Sequence, residues 1–104
     1  MPKTFNPSRE FRELTVTKIV RAKHLHDFVL EIEFSDGMAG EYDLTPLFAH
    51  DTVLTRPWAD LEYFRRFMIE LGALGWPNGL ELSPQTIRHR LEEQGKLHRA
   101  VRVA

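Results

Sequence analysis

Apolar and polar residues alternate most regularly between positions 28 and 34 of the chain. The apolar side holds Phe28, Leu30, Ile32 and Phe34, and the polar side holds Glu31 and Glu33. Strict alternation is typical of a β-strand that buries one face and exposes the other. Residues 14–23, rich in β-branched side chains, predict a strand before it, and residues 38–44 predict one after it.

The turn at residues 35–37 sets how the second and third strands pair. A three-residue loop with Gly37 in the left-handed region places Phe34 opposite Met38 and Leu30 opposite Tyr42, which keeps apolar residues on one face. A two-residue loop would instead oppose apolar and charged residues. We therefore predict the three-residue hairpin, although Gly40 weakens the centre of the third strand.

Capping residues predict three helical segments. Thr45 before Pro46 predicts the start of a short helix, and Asp60 predicts the cap of a single turn. Ser83, followed by a proline, predicts a helix over residues 84–94 that ends at Gly95. Ile87 and Leu91 give this helix a narrow apolar stripe.

Two further strands are predicted at residues 67–71 and 74–76, separated by Gly72. The order is three strands, short helices, two strands and a C-terminal helix. This order predicts an α+β fold with a mostly antiparallel sheet of about five strands. We expect an irregular leader over residues 1–13, a single α+β domain over 14–94 and a basic C-terminal tail over 95–104.

Composition excludes several kinds of chemistry and of cellular location. The 104 residues include no cysteine, which excludes disulfides, thiolate catalysis and cysteine-bound metals. The N-terminus has no apolar signal segment, and no apolar run reaches the length of a membrane span. A cytoplasmic location is the default expectation.

The net charge of −1 conceals an acidic middle between two basic ends. Residues 27–81 carry eleven acids and three bases, whereas residues 1–26 and 82–104 are both net positive. The ends either neutralise the middle through salt bridges or hold a separate acidic partner such as nucleic acid. No aromatic residue follows Trp76, which argues against the nucleic-acid interpretation.

Catalytic and metal-binding patterns are weak. His24 and His26, followed by Asp27, could bind a metal ion if His50 supplied a further ligand. A polar break at a strand end explains the same residues, just as solvation explains Glu31 and Glu33. We predict no catalytic residue, no metal site and no cofactor.

One block of residues carries a family resemblance. Trp76-Pro77-Asn78-Gly79, followed by Leu82-Ser83-Pro84, resembles the signature of the small bacterial domain-of-unknown-function family 2442. The resemblance runs from about residue 14 to 91. It implies a compact α+β domain without established catalytic residues, often encoded beside another small protein in the layout of toxin–antitoxin pairs.

These observations favour a non-enzymatic protein-interaction module, antitoxin-like in that it would neutralise a protein partner. A nucleic-acid-binding regulator and a metal- or ligand-binding protein using His24 and His26 are the alternatives, and a homo-oligomer is also open. The predicted binding residues lie in the Trp-Pro-Asn-Gly turn and in the tail. They are Trp76, Pro77, Asn78, Gly79, Leu97, Arg99, Val101 and Arg102.

Overall fold

The computed structural model describes residues 17–101 of the chain. Seven strands and three α-helices occur in this part. The strands are β1 Ile19–His26, β2 Val29–Phe34, β3 Met38–Asp43, β4 Met68–Glu70, β5 Ala73–Gly75, β6 Glu81–Leu82 and β7 His98–Arg99. The helices are α1 Thr45–Ala49, α2 Leu61–Phe64 and α3 Pro84–Glu93, with a 3₁₀ helix at Arg56–Ala59. The α+β prediction is confirmed.

The first sheet has the order β1-β2-β3-β7 and is antiparallel throughout. Leu30 pairs with Tyr42 and Ile32 with Gly40, so the predicted register of the second hairpin is confirmed. Gly37 has a φ of +88°, and its amide donates to the Phe34 carbonyl oxygen at 3.0 Å. The three-residue loop forms because glycine adopts this left-handed conformation without steric cost.

The strands after α2 form a separate antiparallel sheet with the order β4-β5-β6. This corrects the expectation of a single sheet of about five strands. Among the described residues, one backbone hydrogen bond outside the ladders joins β1 to this sheet, from the Ile19 amide to the Gly72 carbonyl at 2.9 Å. Short helical turns separate α1 from β4, and β4 pairs with β5 instead of continuing the ladder of the first sheet.

Aromatic side chains fill the centre of the core. Trp58 and Phe64 are fully buried, and Trp76 is 3% exposed. The ring centroid of Trp58 lies 4.7 Å from that of Trp76 and 5.0 Å from that of Phe64. Phe28 reaches this cluster from the turn before β2, with its ring 5.0 Å from Phe64. The cluster therefore joins segments that are far apart along the chain.

Residue type predicted the N-caps of two of the three described α-helices correctly. Ser83 caps α3 by accepting hydrogen bonds from the amides of Gln85 and Thr86, and Asp60 caps α2 from the Glu62 amide, as predicted. Thr45 does not cap α1. Leu44 is the N-cap, and the Asp43 carboxylate accepts from the Thr45 amide at 2.9 Å. Asp43 has the side chain that reaches this amide, so the helix begins one residue earlier than predicted.

Residues after α3 return to the first sheet. Gly95 ends the helix with a φ of +68°, Leu97 packs against the core, and β7 pairs with the first two residues of β3. Gly40 allows this return: a Cβ there would lie 2.9 Å from the Lys96 carbonyl oxygen and 3.0 Å from Leu91. The residue that weakens β3 as a strand is thus required for packing. The predicted leader over residues 1–13 lies outside the described residues.

No helix within residues 17–101 is long and apolar enough to cross a membrane.

We expect Gly40→Ala to lower the free energy of unfolding by about 1–3 kcal/mol, because the added methyl group overpacks against backbone and Leu91. Chemical denaturation of the full chain measures this. Glu41→Ala, at the exposed neighbouring position, is the control and should change stability by no more than about 0.5 kcal/mol. Equal stability of the Gly40→Ala variant and the wild type would contradict the close approach at Gly40.

Candidate functional site

The Trp76–Gly79 segment forms the predicted turn. The Gly79 amide donates to the Trp76 carbonyl oxygen at 3.0 Å, and Gly79 has a φ of +95°. The Trp76 side chain points inward, and its indole N–H donates to the Phe64 carbonyl oxygen at 2.8 Å. With 3% of its surface exposed, Trp76 belongs to the core and presents almost no area to a partner.

Asn78 connects this turn to two earlier parts of the chain. Its side-chain amide donates to the Leu54 carbonyl oxygen at 2.9 Å, and its backbone amide donates to the Tyr63 hydroxyl at 3.2 Å. Its side-chain oxygen also accepts from the Leu80 amide at 3.3 Å. Pro77 and Gly79 are exposed on either side. The turn therefore has an evident structural role in holding the 54–63 region against the second sheet.

The predicted tail residues are divided between core and surface. Leu97 packs against the core of its own chain, so much of its side chain is used in an internal contact. Arg99 is exposed in β7, and Val101 is 85% exposed. Arg102 lies outside the described residues. The turn belongs to the second sheet and β7 to the first, so the two halves of the predicted surface sit on different sheets.

Basic residues of α3 pair with acids of the same chain. Arg88 contacts Asp36 at 2.7 Å and Glu92 at 3.9 Å, and His89 lies 3.4 Å from Glu93. The Arg88–Asp36 pair joins the basic C-terminal region to the acidic middle, which confirms the salt-bridge interpretation for this arginine. Such pairs leave fewer free cations on α3 for phosphate groups.

The two histidines of β1 both contact Asp27, which directly follows the strand. His24 Nε2 hydrogen-bonds the Asp27 carbonyl oxygen at 2.8 Å, and its ring packs edge-on against Phe64. His26 Nδ1 lies 3.1 Å from the Asp27 carboxylate. Within residues 17–101, no three side chains of histidine, aspartate or glutamate gather as a metal would require. The polar-break interpretation accounts for these contacts.

The glutamates on the other face of β2 have separate neighbours. Glu33 is 8% exposed and lies 3.8 Å from Arg21. Glu31 is exposed and sits opposite Lys23 on one side and Glu41 on the other. This face of the sheet carries the Arg21–Glu33 ion pair, and the two carboxylates line a small cavity of about 110 Å³ together with Arg21 and His98.

A groove of about 400 Å³ lies between α1 and α3. Its floor and rim combine apolar and charged side chains, among them Tyr42, Asp43, Leu47, His50, Glu81, Ile87 and Arg90. Hydrogen bonds from Thr45 lower the pKa of Asp43, and burial raises the pKa of Tyr42. Both pKa values move away from neutrality, whereas a general acid or base works best with a pKa near the operating pH.

Sequence analysis missed an apolar surface at the β4–β5 hairpin. Val20, Met68, Ile69 and Leu71, which we call the hairpin patch, are respectively 51%, 40%, 37% and 95% exposed. The Ile19 amide bonds the Gly72 carbonyl, which places the start of β1 beside the hairpin loop. Exposed apolar residues that gather at one end of a domain are typical of a protein-binding site when they form a contiguous surface.

The backbone of Leu71 is the most unusual feature of the hairpin patch. Glu70 pairs with Ala73, so Leu71 and Gly72 form a two-residue loop, and their φ angles are +52° and +85°. Such loops favour Asn-Gly or Asp-Gly because both residues need positive φ. Among described residues other than glycine, positive φ occurs elsewhere at Asp27 and Asp51. Leucine in this loop is the sequence signal that could have identified the patch.

Comparison with known proteins gives a family and no activity. The model of a family described as protein of unknown function (DUF2442) matches residues 19–93. Because this match spans well over half of the chain, the protein belongs to that family, and the resemblance noted from the Trp76–Gly79 block is confirmed. No curated protein and no solved structure matches the chain.

We expect Asn78→Ala to lower the free energy of unfolding by about 1–2 kcal/mol, because it leaves the Leu54 carbonyl and the Leu80 amide without their side-chain partner. Asn78→Asp keeps the acceptor for Leu80 but cannot donate to Leu54, so a loss is expected there too. Denaturant titration measures both. Wild-type stability in the alanine variant would show that these hydrogen bonds do not hold the turn.

Proposed function

We propose that this DUF2442 protein is a non-enzymatic interaction module that binds another protein through the hairpin patch. Binding by such a surface needs no reactive group. It needs exposed apolar area that a partner can bury, and a rigid element that presents it. The β4–β5 hairpin meets both conditions, since its loop projects Leu71 into solvent while β5 continues into the buried Trp76.

The observation that carries this proposal is that Leu71 adopts a costly backbone conformation while its side chain gains no burial in return. An L-residue in the left-handed region is disfavoured by about 1–2 kcal/mol, and leucine has no polar side chain to offset this. At 95% exposure, the side chain also gains almost nothing from burial in the folded chain. A partner with an apolar pocket would supply the missing contact, as strained positions at functional sites commonly require.

The resemblance to the family suggests where the partner comes from. Members are often encoded beside another small protein, in the layout of toxin–antitoxin pairs. We propose the neighbouring gene product as the partner, with this chain as the neutralising half and the bacterial cytoplasm as its location. The pairing of Arg88 and His89 with acids of the same chain favours a protein partner over nucleic acid.

Leu71→Asn is expected to stabilise the chain at dilutions where it is monomeric, because asparagine tolerates positive φ and creates the favoured Asn-Gly loop. We expect a gain of about 1 kcal/mol, equivalent to a rise in melting temperature of roughly 4–8 °C for a domain of this size. Thermal unfolding followed by circular dichroism measures it. Val53→Asn, at a 74% exposed position without positive φ, is the matched control and should leave stability within about 0.5 kcal/mol.

The same two variants test binding. When the tagged chain is co-expressed with its neighbouring gene, wild type and Val53→Asn should co-purify with the gene product, and Leu71→Asn should lose it. A more stable variant that binds less separates a binding role from a folding role. Full retention of the partner by Leu71→Asn, or no partner with any of the three chains, would contradict the proposal.

A further inference from the structure

Two opposite charges, Lys18 and Glu70, lie beside the hairpin patch, and neither is ion-paired within residues 17–101. Lys18 lies beside the loop: a Cβ built on Gly72 would be 2.6 Å from the Lys18 Cβ. Glu70 ends β4 directly before Leu71, opposite Ala73. Both side chains belong to exposed residues, and within residues 17–101 neither comes within 4.0 Å of an opposite charge.

Because of these charges, the hairpin patches of two copies of the chain can be electrostatically complementary to each other. A twofold axis between two chains brings the same surface of each copy together, so residue i meets residue j and j meets i. With Leu71 near the axis, Lys18 of one copy can face Glu70 of the other, and the reverse contact forms by symmetry. Among the described residues of one copy the two charges form no ion pair with each other, and across the axis both are paired.

We propose that, in the absence of another partner, a second copy of this chain covers the hairpin patch in a twofold dimer with reciprocal Lys18–Glu70 ion pairs. This inference rests on the proposed function in using the same patch. Leu71 and Val20 form the centre of the contact, and the charges form its rim. Apolar burial at the centre supplies most of the affinity, and the rim pairs fix the orientation.

The balance of charge favours a second copy over a strongly acidic or strongly basic partner. The patch offers one cation and one anion, so a partner of a single sign would match one of them and oppose the other. A second copy matches both. Exchange between the dimer and the complex with a different protein is then competition for one surface, and the free dimer keeps Leu71 out of solvent.

Sedimentation equilibrium of the purified full-length chain, from micromolar to near-millimolar concentration, tests this inference. The wild type should approach twice the mass of one 12.2 kDa chain. Lys18→Glu and Glu70→Lys should each weaken the dimer about tenfold or more, because each places two like charges in contact twice. An equimolar mixture of these two variants should regain association, since every facing pair is then opposite in sign. Lys23→Glu, in β1 and remote from the loop, is the control and should remain dimeric.

A wild-type chain that is monomeric at every concentration would overturn the inference. A dimer that neither charge reversal weakens, or a mixture that does not regain association, would also overturn it. The test is separate from that of the proposed function. A monomeric chain that still binds the neighbouring gene product through Leu71 leaves the interaction module standing, whereas a charge-sensitive dimer without that partner leaves the dimer standing.

Discussion

The contact between Trp76 and α2 is the interaction on which the rest of the structure depends. Its indole N–H donates to the Phe64 carbonyl oxygen, and its ring lies against Trp58 within the aromatic cluster. Buried aromatic pairs add about 0.5–1.5 kcal/mol each beyond the area they bury. This contact fixes the second sheet at the end of β5. The Ile19–Gly72 hydrogen bond ties the hairpin loop to the start of β1, while the Leu71 side chain of the same loop is 95% exposed.

Features decided by neighbouring residues could be predicted from the sequence. The register of the β2–β3 hairpin follows from Gly37 and the alternation of apolar residues, because a shift by one position would expose the whole apolar face. The caps at Asp60 and Ser83 follow from side chains that reach a free amide one turn ahead. The Trp76–Gly79 turn, and with it the family, could be identified because both depend on a short run of neighbouring residues.

Features decided by contacts between distant segments were not predicted. The division into two sheets depends on contacts of the segment between α1 and β4, and β7 reaches β3 where Lys96 and Leu91 lie close to Gly40. Trp76 was a candidate anchor for a partner, yet its contacts lie in the core. The hairpin patch was missed because exposure of Leu71 is a property of the folded chain, although its place before Gly72 was visible.

Hydrogen–deuterium exchange of the backbone amides, measured on the chain diluted until it is monomeric and on the same chain with its bound protein, tests the central claim most directly. The claim is that association buries the β4–β5 hairpin and leaves the Trp76–Gly79 turn in its structural role. Slower exchange on binding is expected at residues 18–20 and 68–72, with unchanged exchange at 76–79 and in the groove between α1 and α3. Slower exchange confined to the turn or the groove, with the hairpin unaffected, would contradict the account.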